Sequence, residues 1–152
     1  TKVVHDRVAG NTVAYCSEDR RKAFDRGAEL IDWYRVQQRM RDAKVWQGYD
    51  PAKVPEDYQF HYQRSQGDPV RRDETSSLEL VEKGDRFCIG NPDDCIEYIE
   101  RYEAMGVDEM MPLFQVGPVT HEEVMESLRL YGKYIIPHFQ QKAKKAQAAA
   151  KN

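Results

Sequence analysis

The sequence holds 152 residues, enough for one domain with a core of its own. Its 23 Lys and Arg against 26 Asp and Glu leave a net charge of -3, so charge gives no case for nucleic acid or an anionic membrane as partner. No apolar run of roughly 18 residues offers a membrane span. The first residues, Thr-Lys-Val-Val, carry neither a basic leader nor the apolar segment of a secretory signal. Cys16, Cys88 and Cys95 are odd in number, lie in apolar patterns and lack metal-type spacing. They read as reduced core thiols of a cytoplasmic protein.

In chain order, residues 8–15 give a β-type pattern around Gly10-Asn11, and Ser17 is placed to cap the helix that follows. From 18 to about 41, Ala23, Phe24, Gly27, Leu30, Ile31 and Tyr34 keep helical spacing over a charged outer face. Residues 42–77 break the pattern with Pro51, Pro55, Pro69, five aromatics and His61. The aromatic content predicts an ordered excursion with a short helix near 55–64 that covers a pocket. The alternative is that these rings only pin a long loop.

A short helix at 78–83 leads to a strand at 86–89. Asn91 then suits a helix cap, Pro92 the first helical position, and Asp93 and Asp94 the positive end of the helix dipole. Cys95, Ile96, Ile99 and Tyr102 form one apolar stripe, Gly106 stops the helix and 107–114 resumes as a strand, a parallel βαβ unit. After a turn at Gln115-Val-Gly-Pro, Thr120-His-Glu-Glu123 is a capping box. The last helix runs through Val124, Met125, Leu128, Tyr131 and Tyr134, and Pro137 ends or kinks it. The Lys- and Ala-rich tail, 140–152, has no apolar face and is expected to fray.

Alternating strands and helices predict an α/β protein with three or four parallel strands. A sheet that small has two open edges, to be completed by residues beyond this chain or by a second copy. The sequence opens on a strand without an initiator Met, which predicts a piece of a longer protein.

At Ile89-Gly-Asn-Pro, Ala104-Met-Gly-Val-Asp108, Phe114-Gln-Val-Gly117 and Ser127-Leu-Arg-Leu-Tyr-Gly-Lys-Tyr-Ile-Ile-Pro137 the chain resembles the luciferase-like, flavin-dependent monooxygenases, the bacterial luciferase and limonene monooxygenase-like family. Val13-Ala-Tyr-Cys-Ser-Glu-Asp19 is similar to the strand and acidic helix start of that family. Tyr131 stands where the family pattern has Phe, and Ile135 or Ile136 where it has Val. The resemblance implies the C-terminal portion of a (β/α)8 TIM barrel, so that 1–152 is one partial domain, 42–77 a substrate-side lid and 140–152 a tail. It also implies an oxidoreductase that takes reduced FMN from a partner flavin reductase, or uses a deazaflavin, and oxygenates an apolar or aromatic small molecule with O2.

Barrel sites lie at the C-terminal ends of the strands. The resemblance therefore places Gly90, Asn91, Gln115 and Gly117 beside the flavin ring. Trp46, Tyr58, Phe60, Tyr62 and Phe114 fall on the substrate wall, with His61 as base or polar anchor. Asp93 and Asp94 oppose a phosphate at that helix start. The plainer alternatives make Asn91 only a cap, Gly117 only a turn and His61 a surface residue. His121 and His138 have weaker claims, and His5 has none. The other class of reading is a truncated, non-catalytic flavoprotein-like or oligomerising scaffold domain. A doubly wound nucleotide-binding domain is disfavoured, because no Gly-rich loop follows a strand.

Overall fold

The computed structural model describes residues 6–66 and 75–149; His5, Pro69 and the last three residues of the tail lie outside them. Its centre is strand β1 (Ala9–Cys16), flanked by β2 (Cys88–Gly90) and β3 (Glu109–Leu113) in the order β2-β1-β3, all parallel. Val13, Ala14, Tyr15 and Cys16 are all buried. A central parallel strand is covered on both faces, so it reads as an apolar run and not as an alternation.

Helix α1 (Arg20–Val45) covers one face with α3 (Ser77–Lys83). Leu30, Ile31 and Val81 pack there on Val13, Tyr15 and Ile89. Gly27 makes the close seat of α1 possible, since a Cβ at that position would stand 2.4 Å from Ile89 Cγ2. The other face carries α4 (Pro92–Ala104), α5 (His121–Leu130) and α6 (Ile136–Ala149), with Cys88, Cys95, Tyr98, Tyr131 and Ile135 in its core. The excursion holds two 3-10 turns, Pro51–Lys53 and Glu56–Tyr58, and helix α2 (Gln59–Ser65).

Three expectations need correction. The strands β2 and β3 of the βαβ unit are parallel but not neighbours, because their connection crosses β1. Consecutive strands of a (β/α)8 barrel lie side by side, so the described residues show an open α/β sheet and no closed barrel. The cap of α1 is Asp19, whose carboxylate accepts from the amides of Arg21 and Lys22; Ser17 is buried at the strand end and donates to Glu126 instead (3.4 Å).

A fourth correction concerns the last helix. Of the two expectations for Pro137, an end or a kink, the end is not seen: a π-turn at Tyr131–Ile135, just before this proline, joins α5 to α6, which continues to Ala149 with 140–149 exposed. Ser127, Tyr131 and Ile135 are buried and Phe139 is packed against the same cluster, at strict four-residue spacing. In an ideal helix of about 100° per residue, three such steps drift by about 120°. The extra residue of the π-turn takes back about 100° of that drift. Tyr134, expected in the stripe, is therefore 38% exposed while Ile135 is 2%.

The register also fixes the free edge of β3. The Glu109 amide donates to the Val8 carbonyl (3.2 Å), and pairing runs from Ala9–Glu109 to Val13–Leu113. Backbone groups alternate along a strand, so Glu109, Met111 and Leu113 turn theirs toward β1 and Met110 and Pro112 turn theirs outward. Pro112, which has no amide hydrogen, sits where an edge strand tolerates it.

Candidate functional site

The strand tips meet at the carboxyl edge of the sheet. Cys16 ends β1, and the Ser127 hydroxyl of α5 accepts from its amide and donates to its carbonyl, both at 3.0 Å. The Ser17 amide donates to the Gly90 carbonyl (3.2 Å), which ties the tip of β2 to that of β1. The order β2-β1-β3 reverses direction between β1 and β3, and open parallel sheets take ligands outside that reversal.

At the β2 tip the geometry is local. Asn91 Oδ1 accepts from the Asp94 amide and Asp94 Oδ2 accepts from the Asn91 amide, each at 3.0 Å. Arg20 closes on Asp94 at 2.8 Å. A Cβ on Gly90 would stand 2.5 Å from Asp94 Cβ, so this glycine lets the first turn of α4 fold back onto the strand end. The capping role of Asn91 is thus filled inside the chain.

At the β3 tip Gln115 is exposed, and Gly117 turns with φ +60° against the Trp33 indole of α1. Arg26 links α1 to this loop: its Nε donates to Glu123 Oε1 (2.7 Å) and its Nη2 to the Pro118 carbonyl (2.8 Å). The Arg26 hydrogen bonds, joined by the amide and hydroxyl of Thr120, hold Glu123 down at about 2. Lys22 pairs with Glu126 at 3.5 Å. Under this roof the Tyr15 hydroxyl makes no hydrogen bond among the described residues. Burial, with the charges of Glu123 and Glu126, pushes it up to about 12. The edge is thus a rim of paired charges over a buried phenol.

The aromatic excursion forms its own small cluster. Trp46 meets Tyr49 at 5.3 Å and Tyr62 at 5.7 Å between ring centres, both edge-on, and Tyr58 at 6.4 Å. His61 is exposed on α2, beside Phe60 (5.6 Å) and Tyr58 (6.4 Å). Phe114 is not with them: it packs edge-on to Tyr131 (4.8 Å), on the face of the sheet away from the helix that leads to Trp46. Phe114 instead lines a groove of about 570 Å³ with Ile99, Met110, Leu128, Tyr131 and Phe139. The groove floor is chemically quiet. The Tyr131 hydroxyl lies 2.9 Å from Cys88 Sγ, burial pushes the phenol well up, and the neighbouring Cys95 thiol, with burial, does the same to Cys88.

The structure therefore brings Gly90, Asn91, Gln115 and Gly117 to one edge, sets Phe114 beneath it and leaves Trp46, Tyr58, Phe60, His61 and Tyr62 elsewhere. Sequence reasoning missed Tyr15, Arg26, Trp33 and Ser127. Tyr15 and Ser127 stood in quoted segments without a role, Glu123 had the local signal of the capping box, and Trp33 the weaker one of an apolar residue off its helix stripe. Among the described residues no group of His, Cys, Asp and Glu could hold a metal ion, and no helix is long and apolar enough to cross a membrane. No protein-family model matches the chain, and no curated protein matches it either.

Proposed function

We propose that this chain is the C-terminal portion of a luciferase-like, flavin-dependent monooxygenase that uses reduced FMN and O2 to oxygenate an apolar or aromatic small molecule. The observation that supports it best is the placement of Ile89-Gly-Asn-Pro and Phe114-Gln-Val-Gly, two segments of the resemblance, at the carboxyl edge of one parallel sheet. The barrel implied by the resemblance would need β2 and β3 as neighbours, so the reading rests on the strand tips and not on barrel closure.

The tips fit the ring of a flavin better than its phosphate. Asp93 and Asp94 line the start of α4, and their charge opposes an anion there. Gln115 offers an exposed amide for a polar ring edge, and Gly117 lets backbone approach closely. The apolar wall of Phe114, Leu128 and Phe139 suits a water-poor substrate. Reduced flavin supplies the electrons that activate O2; the chain's residues orient the partners and exclude water. A deazaflavin is the other cofactor, and a flavin reductase the partner that supplies reduced FMN.

Anaerobic ultrafiltration of the complete protein with photoreduced FMN, followed by O2 uptake in an electrode cell, tests this reading. Retained reduced FMN, with O2 uptake that departs from that of free reduced FMN, supports it. Absence of both removes it.

A second reading, an oligomerising scaffold, is favoured by the bare β3 side. Met111 and Leu113 are exposed on one face of that strand and the apolar groove opens on the other. Native mass spectrometry tests it: a defined oligomer that a Leu128→Glu change dissociates supports it, and a monomer at every concentration rejects it.

A further inference from the structure

We infer that the Trp33 indole is a stacking platform for a planar conjugated ring at the reversal point between β1 and β3. A Cβ on Gly117 would lie 2.8 Å from Trp33 Cδ2, 2.9 Å from Cε3 and 3.0 Å from Cγ. Three adjacent ring atoms at nearly equal distance put the glycine over the face of the indole and not at its edge. The φ of +60° at Gly117 holds the backbone there, a conformation that a glycine adopts without strain.

One face of the indole is thus covered by main chain, yet 42% of the side chain remains exposed. Trp33 rises from the helix that follows β1 and rests on the loop that follows β3, so it bridges the two elements between which the strand order reverses. Arg26, two turns earlier on α1, ties the same loop at the Pro118 carbonyl and Glu123. The platform is therefore braced. Val13 and Tyr15 face α1, while Met110 and Phe114 pack with the opposite cluster. By alternation Met111 and Leu113 share the face on which Trp33 lies, and both are exposed. The sheet face on which the platform lies is thus apolar along β3, with the Arg26–Glu123 pair at its border.

Such a surface selects flat, polarizable rings, because offset stacking on an indole adds to the gain from area alone. The ring has two possible sources, the flavin of the proposed function or its aromatic substrate. The platform rests on the Gly117 geometry and stands without that reading.

A Trp46→Phe background leaves Trp33 as the chain's sole tryptophan emitter. Its emission is followed against oxidised FMN and against 2-naphthol, and affinity is read separately by polarisation of the probe's own fluorescence. Quenching by either probe is expected. Trp33→Ala should then weaken that probe about tenfold, and Trp33→Phe only about threefold, since a smaller ring still stacks. Quenching by FMN alone assigns the platform to the cofactor ring. Quenching by 2-naphthol alone assigns it to the substrate ring and counts against the flavin reading. FMN that binds with equal affinity to the parent and to Trp33→Ala overturns the platform while leaving the flavin reading intact. Quenching by neither probe overturns the platform.

Discussion

The two edges of the sheet are finished in opposite ways. Beside β2, the chain closes over itself: Arg20 reaches across to Asp94, the Arg101 guanidinium caps the Gly84 carbonyl, and Arg21 pairs with Glu82. What remains there is a polar crevice of about 140 Å³. Beside β3, Met111 and Leu113 are 51% and 41% exposed on one face, and the groove over Phe114 opens on the other. Helices α1 and α4 pack over β2, whereas α6 is tied to α4 through His138–Glu100 and Lys142–Glu103 and leaves a groove between itself and β3. The β2 side is therefore closed by the chain's own ion pairs, and the β3 side is left open.

The strongest attack on that contrast is at the closed side. Gly27→Val drives a side chain into Ile89 and is expected to cost about 3 kcal/mol, read as a shift of the urea midpoint. A cost under about 1 kcal/mol would show that α1 is loosely seated.

Ser127→Ala removes the hydroxyl that serves both backbone groups of buried Cys16 and should cost about 2 kcal/mol in the same assay.

The rim between the two sides has a pH signature. Glu123 is held at about 2 in the fold against 4.5 for the free group, so its contribution is full above about pH 4.5 and is lost as pH falls toward 2. With solvent screening the loss is about 1 kcal/mol, and Glu123→Gln should flatten the stability curve in that window.

The smallest effect belongs to the open side. Leu113→Ser is expected to change folding stability by no more than about 0.5 kcal/mol while altering association or ligand retention. A loss near 2 kcal/mol would mean that β3 is part of the core after all.

Much of this was legible in the residues because it is written locally. The caps at Asn91 and Thr120, the stop at Gly106 and the stripe from Cys95 to Tyr102 each depend on groups within one or two turns. Strand order was not legible, since whether β3 pairs with β1 or β2 turns on packing across the sheet. The candidate site was legible only at its tips. Gly90 and Gly117 announce themselves by type, but the indole that lies on Gly117 comes from 84 positions earlier in the sequence. The aromatics show the same limit: the resemblance set Phe114 on one wall with those of the excursion, yet Phe114 answers to strand alternation and packs on the face away from α1.

The π-turn at Tyr131–Ile135 implies that the last helix carries one residue more than its path requires. Gly132 has nothing within 4 Å of where a Cβ would stand, so no neighbour holds it in place. Deleting it would let the segment close into regular α-helix while Ile135 and Phe139 keep their bearing on the sheet. Length, at this one point, is a variable that the fold can shed without rewriting what lies on either side.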